Sequence, residues 1–174
     1  MPDDIPSQSI AEPQLLTPES TELRRALGQF ATGVCIVSAP PIADEADPFA
    51  ITVSSFASVS LTPPMILWCV QKLSTTYQLW MDSPQFGVSV LNANQRDLCD
   101  RYAVRGNHAM HEPSDYRLSA RGTPLIPDAV ATFDCQVNAI HDAGDHSLIL
   151  ADVLAFDADE STAPLIYVRG GIHG

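Results

Sequence analysis

Lys72 is the only lysine in a chain of 174 residues, which carries 9 Lys+Arg against 21 Asp+Glu. It stands in Gln71-Lys72-Leu73-Ser74-Thr75-Thr76, directly after an apolar run and at the start of an expected helix. A helix N-terminus offers free backbone N–H groups and a partial positive charge. Ser74, Thr75 and Thr76 add hydroxyl donors, so the segment can cradle a phosphate; the same residues also read as a capped helix beside a solvated lysine. Thr52-Val53-Ser54-Ser55-Phe56-Ala57-Ser58-Val59-Ser60 packs five hydroxyl side chains into nine residues. Such a stretch can line the edge of a flat heteroaromatic ring with backbone and hydroxyl donors, or form an ordinary strand with one wet face. His146 follows Asp142-Ala143-Gly144-Asp145, at the exit of an expected turn. It reads either as a surface residue or as one at the mouth of a barrel.

Other chemistries find less support. His108 and His111 lie in a polar loop with no clear third ligand, which points away from a metal site. Cys35, Cys69, Cys99 and Cys135 are too far apart for a CxxC pattern, and three of them sit in apolar runs, so they read as buried free thiols. No GxGxxG or GxxxxGK[ST] is present, and no Ser-His-Asp or Cys-His order stands out. A formal charge of -12 repels nucleic-acid phosphates and anionic membrane surfaces. No apolar run reaches the roughly 18 residues of a membrane span. The first residues, MPDDIPSQSIAEPQ, lack the basic and apolar regions of a secretion signal, so a cytoplasmic protein is expected.

The elements that must position these residues follow from periodicity. Residues 1–20 show no period and read as a mobile arm, with one domain over 21–174. Leu23, Ala26, Leu27 and Phe30 predict an amphipathic helix that starts at Ser20-Thr21 and ends at Gly33. Strands are expected over 34–38, from 49 into a polar loop by 59, over 65–70, 86–91, 131–140, 146–156 and 164–168, the third of these central. Short helices are expected from Ser74 to Met81 and after an Asn94 cap. Residues 104–127 read as a surface excursion. Strands dominate and helices do not alternate with them, which favours a mainly β fold, a β-barrel with peripheral helices, over a doubly wound sheet.

Five stretches, in order, resemble the flavin reductase-like domain family. They are Leu23-Arg24-Arg25-Ala26-Leu27-Gly28-Gln29-Phe30-Ala31-Thr32-Gly33-Val34, the run from Ile51 to Pro64, Phe86-Gly87-Val88-Ser89-Val90-Leu91, Asp142-Ala143-Gly144-Asp145-His146-Ser147, and Pro164-Leu165-Ile166-Tyr167-Val168-Arg169-Gly170. The resemblance covers about residues 22–171. It implies a split β-barrel of the FMN-binding type, working as a homodimer. It implies hydride transfer from NADH, or NADPH, to FMN or FAD, with reduced flavin diffusing to a partner monooxygenase. It further implies that Thr52, Val53, Ser54, Ser55, Ala57 and Ser58 hold the isoalloxazine and ribityl chain. Cys69, Val70, Gln71, Lys72, Ser74 and Thr75 would hold the phosphate, and His146, Arg169 and Gly170 the nicotinamide. No side chain need act as acid or base, and no metal is implied. The chain departs from the family pattern at Ala50-Ile51, at Ser54 and at Ile172. The alternative reading is a protein of the same fold that keeps flavin as a fixed prosthetic group or carrier.

Overall fold

A computed structural model describes residues 17–42 and 45–174. In chain order the elements are α1 (Pro18–Leu27), β1 (Thr32–Gly33), β2 (Cys35–Ala39), β3 (Phe49–Val53), β4 (Ala57–Leu61), β5 (Pro64–Gln71) and α2 (Tyr77–Asp82). Then come β6 (Gln85–Val90), α3 (Arg96–Ala103), a 3₁₀ turn (Pro113–Asp115), β7 (Arg117–Leu118), β8 (Pro124–Leu125), β9 (Ala131–Ala143), β10 (His146–Ala158), β11 (Ile166–Val168) and β12 (Gly171–His173).

Seven strands form one antiparallel sheet in the order β3-β2-β6-β9-β10-β5-β4. β3 and β4 therefore lie at opposite edges, yet only Ser54-Ser55-Phe56 separates them in sequence. Four residue steps span at most about 14 Å, so the sheet must roll until its edges nearly meet. This is the split barrel, and the expected fold class holds. The single strand expected from residue 49 is in fact two, because the chain leaves one edge at Val53 and joins the other at Ala57.

The roll encloses one core and leaves a second outside. In β2, period-two alternation sends Cys35 and Val37 inward and Ile36 outward. Inside, Trp68 meets Trp80 at 5.1 Å and Phe86 at 5.8 Å between ring centroids, and Phe49 meets Trp80 at 4.6 Å. Trp80, from α2, plugs the barrel, and its Nε1 donates to Thr76 Oγ1 at 3.0 Å. Each such buried side chain contributes about 1.5–3 kcal/mol. Outside, Ile36, Leu91, Cys99, Tyr102, Met110, Ile126 and Leu165 pack beneath α3 and the excursion. The excursion is thus more than surface: its β7–β8 hairpin sends Leu125 into burial, and the residues on either side supply Met110 and Ile126. Gly87 lets it approach, since a Cβ there would lie 2.5 Å from Leu125 Cδ2 and 2.7 Å from the Pro124 carbonyl oxygen.

Several boundaries differ from the sequence expectation. α1 begins at Pro18 because Thr17 caps it, accepting from the Ser20 N–H at 3.2 Å, and it stops at Gly28 rather than Gly33. Thr17 to Ser20 therefore belong to the fold, while residues 1–16 of the expected arm lie outside the described residues. β5 is next to the edge, not central, and alternates between buried and half-buried positions. The cap of α3 is Gln95, not Asn94, whose N–H instead donates to Asn92 Oδ1 at 2.8 Å. A further strand, β12, was not expected; Arg169 and Gly170, at φ 52° and 78°, turn the chain back from β11 to form it. Cys35, Cys99 and Cys135 are buried and Cys69 is half-buried, all as free thiols, although Cys99 lies on α3. No helix among the described residues is long and apolar enough to cross a membrane.

Candidate active site

A cleft of about 850 Å³ opens where the exit of β5, the start of β3 and the loop after α3 converge under α1. Its lining includes Gln71, Lys72, Leu73, Ser74, Thr75 and Thr76 on one side, and Ala50 and Ile51 on the floor. Tyr102 to His108 form the opposite wall, and Thr17, Ser20 and Arg24 reach in from α1. Three of the 9 Lys+Arg in the chain (Arg24, Lys72, Arg105) line it, against one of the 21 Asp+Glu (Asp145). Anions are drawn to such a concentration of positive charge in an otherwise acidic molecule.

The far wall is fastened at both ends. The Ala50 N–H donates to the His108 carbonyl at 2.8 Å, and the Met110 N–H donates to the Pro48 carbonyl at 2.8 Å. His111 Nδ1 sits 2.8 Å from Asp47 Oδ2. At the other end Arg101 donates to Asp115 Oδ2 at 2.6 Å, and the Tyr102 hydroxyl reaches the same oxygen at 3.3 Å. Burial, and then the Asp115 charge, push the Tyr102 hydroxyl up to about 12, so it stays neutral and keeps donating.

The near wall departs from the expected helix-terminus cradle. α2 starts at Tyr77, with Thr76 as a buried cap that makes no side-chain cap bond. Ser74 closes the preceding turn instead: its hydroxyl lies 3.0 Å from Thr76 Oγ1 and accepts from the Thr76 N–H at 3.3 Å. Lys72 is not a freely solvated cation. Its ammonium donates to the Gly144 carbonyl at 2.7 Å and forms an ion pair with Asp142. Its backbone N–H donates to the Asp145 carbonyl at 2.9 Å. Lys72 thus staples the tip of the β9–β10 hairpin to the cleft rim. That tip carries His146, which pairs across the sheet with Gln71. His146 Nδ1 lies 2.8 Å from Asp145 Oδ1, and this bond holds the Asp145 carboxyl below its ordinary range. The ionised carboxylate fixes the proton on Nδ1 and leaves Nε2 as the open nitrogen.

The hydroxyl-rich stretch divides into residues spent on the fold and residues left open. Thr52 Oγ1 donates to the Cys99 carbonyl at 2.8 Å, tying β3 to α3. Ser55 Oγ donates to the Cys69 carbonyl at 3.1 Å and accepts from the Cys69 N–H at 3.0 Å. Val53 is buried in the inner core. Ser54, Ala57, Ser58 and Thr75 are exposed, and the hydroxyls of Ser54, Ser58 and Thr75 have no hydrogen-bond partner among the described residues. The backbone N–H groups of residues 54–56 likewise meet no backbone carbonyl there. Open donors in a row, on the chain that continues from the cleft floor at Ile51, fit the edge of a flat heterocycle, and the cations of the cleft fit a phosphorylated tail. Cys69 and Val70 lie in β5, ahead of the cleft rim at Gln71, with Val70 buried.

Residues 52–58, Cys69, Val70 and His146 do not line this cleft, and Arg169 and Gly170 lie away from it altogether. They form the β11–β12 turn, where Arg169 Nε donates to Gln29 Oε1 at 3.0 Å, and Arg169 lines a separate cavity of about 500 Å³. The expected nicotinamide set is therefore split within one chain. The cleft also takes in Arg24, Arg105, Asn107 and His108, which sequence reasoning did not assign to it; Lys72 stood out as the sole lysine, whereas Arg24 and Arg105 are two of eight arginines.

The fold and the site have counterparts among known proteins. Residues 27–174 match the flavin reductase like domain. The chain is 39% identical over 155 residues to the FMN reductase (NADH) SmoA of Agrobacterium fabrum, covering 89% of this chain and 85% of that one. It is 33% identical over 158 residues to HsaB of Mycobacterium tuberculosis, the reductase subunit of a flavin-dependent monooxygenase, covering 87% and 80%. Among solved structures, the Streptomyces globisporus NADH:FAD oxidoreductase SgcE6, in complex with NAD and FAD fragments, superposes with a TM-score of 0.82 at 31% identity, covering 93% of this chain and 96% of that one. The matched stretch runs from the end of α1 through the closing β12 strand, and on that extent the chain belongs to the flavin reductase like domain family.

Proposed function

We propose that this chain is an NADH-dependent flavin reductase that supplies reduced FMN or FAD to a partner flavin-dependent monooxygenase. The observation that carries the reading is a cleft that gathers cations in an acidic chain, floored by Ala50 and Ile51 on the strand that leads into the open donors of Ser54, Ser58 and the backbone of residues 54–56. Relatives named for FMN with NADH, and for the reductase subunit of a monooxygenase, support it.

When bound, the flavin supplies a ring system that takes up a hydride equivalent from reduced nicotinamide. The donors of residues 54–58 would orient the edge of that ring and could offset negative charge on it. Val53 and Phe56, both packed against the inner core, keep water from the inner face. Thr75, with its open hydroxyl, and Ser74 and Lys72 beside it would hold the phosphate of the flavin. His146, with its proton held on Nδ1 by Asp145, offers Nε2 to the nicotinamide side. The protein's task is proximity and alignment, and no acid or base is needed.

The homodimer reading is supported by large apolar side chains left uncovered: Leu27 is 66%, Phe30 77% and Phe156 76% exposed. Light scattering that returned the mass of one chain, 18.8 kDa, would sink it. The four unpaired thiols and the use of NADH favour the cytoplasm. The decisive experiment follows NADH and NADPH oxidation with excess free FMN or FAD. Turnover that scales with added flavin is expected. Tight flavin binding with no turnover would establish the carrier reading instead.

A further inference from the structure

We infer that the cleft takes the adenosine diphosphate end of FAD, and that Arg105 makes this chain discriminate FAD from FMN. The inference rests on the flavin reductase reading and adds the choice of flavin to it. The cleft's cations come from three separate elements: Arg24 on α1, Lys72 after β5 and Arg105 after α3. Lys72 is already offset by Asp142 and the Gly144 carbonyl. Among the described residues, Arg24 and Arg105 make no salt bridge and no side-chain hydrogen bond. Uncommitted guanidiniums on facing walls suit a pyrophosphate, whose charges are spread over two phosphorus centres, better than they suit one terminal phosphate.

Size points the same way. The residues expected to hold the ring, 52–58, do not line the cleft. Its 850 Å³ therefore remains for whatever extends beyond the ring. A volume in the range of about 300–1,000 Å³ takes a whole drug-sized ligand, and a single phosphate would leave it nearly empty. Ile51 and Val104 offer apolar surface to a nucleobase, and Asn107, whose Nδ2 donates to the Arg101 carbonyl at 3.0 Å, offers its Oδ1 to the polar edge of that base. Arg105 is exposed at the rim, in the wall that the Ala50–His108 bond fastens to β3, so it is held near the pyrophosphate and not near the ring.

The test titrates FAD and FMN separately into the full chain and into Arg105→Ala, reading flavin fluorescence, with a thermal melt to show that both proteins are folded. The native chain is expected to bind FAD about tenfold tighter than FMN. The variant is expected to lose about tenfold for FAD, as for one charge-assisted bond, and to keep its FMN Kd within about twofold. Arg105→Lys should recover part of the FAD affinity. Equal Kd values for the two flavins in the native chain would overturn the inference, as would a variant that loses both flavins alike. A raised KM for NADH with an unchanged Kd for FAD would reassign the cleft to the nicotinamide dinucleotide and also overturn it. Failure of the native chain to bind either flavin would instead remove the reductase reading on which the inference stands.

Discussion

Ser55→Ala removes two hydrogen bonds at once. The β4–β5 register pairs Ala57 with Leu67; carried two pairs further, it sets Ser55 opposite Cys69. There the backbone has already left the ladder, and the Ser55 hydroxyl serves as both donor to the Cys69 carbonyl and acceptor from its N–H. A net hydrogen bond contributes about 0.5–1.5 kcal/mol. Both residues are half-buried, so water recovers part of the loss. The expected destabilisation is about 1–2 kcal/mol, or roughly 2–8 °C in Tm for a chain of this size. Ser54→Ala is the matched control: its hydroxyl is exposed and unpartnered, so stability should stay within about 0.5 kcal/mol of the native chain. Its flavin Kd should nonetheless rise by roughly two- to tenfold, the worth of one neutral bond to the ring edge. Urea unfolding and flavin titration on both variants separate the effects. A Ser55→Ala protein as stable as the native chain, or a Ser54→Ala protein equally destabilised, would refute the division between fold-holding and ligand-facing hydroxyls.

Two further outcomes follow from packing and titration. Gly87→Ala places a Cβ against Leu125 Cδ2 and the Pro124 carbonyl at 2.5 and 2.7 Å, and the backbone carbonyl cannot step aside cheaply. A loss of about 1–3 kcal/mol is expected from overpacking, and an unchanged urea midpoint would contradict it. Burial pushes the Cys35 and Cys135 thiols from 9.0 up to about 12, because the interior disfavours the thiolate. Their contribution to stability is full below pH 9.0 and is lost as pH rises toward about 12. Denaturant unfolding across that window should show a steeper decline for the native chain than for a Cys35→Ala, Cys135→Ala double variant; equal slopes would rule the thiols out as the cause.

What the sequence disclosed depended on the range of the interaction. β5 showed itself through the run MILWCV, and the β9–β10 turn through Gly144, which adopts φ 68°. The stretch 52–60 and the segment 71–76 stood out because composition concentrates hydroxyls in one and the sole lysine in the other, and of the two only 71–76 lines the cleft. The separation of β3 from β4 was not legible, since Ser54-Ser55-Phe56 is as strand-like as its flanks and only closure of the sheet forces the break. The occupation of Lys72 depends on Asp142 and Gly144, seventy or more positions away in sequence but adjacent across a hairpin. Ser74 looked like a helix cap because its type is right; the chain uses it one turn earlier, and α2 starts after Thr76. The period of α1 gave an apolar stripe, but Leu23 and Leu27 stay exposed, because spacing says which side is greasy and not what covers it.

The three residues that bridge the rims of the rolled sheet are also those beside which the ring is expected to rest. Beyond the backbone itself, that seam is fastened by Ser55 and by Phe56, whose ring lies 5.5 Å from Phe133. A guest seated there works as a rivet through both rims. Its arrival should slow amide exchange in β3 and β4 together, the first and last strands of the sheet, while leaving the Gly144–Asp145 tip to exchange as before. Holding cofactor and holding the barrel shut would then be one act, and each departure of reduced flavin would let the seam breathe.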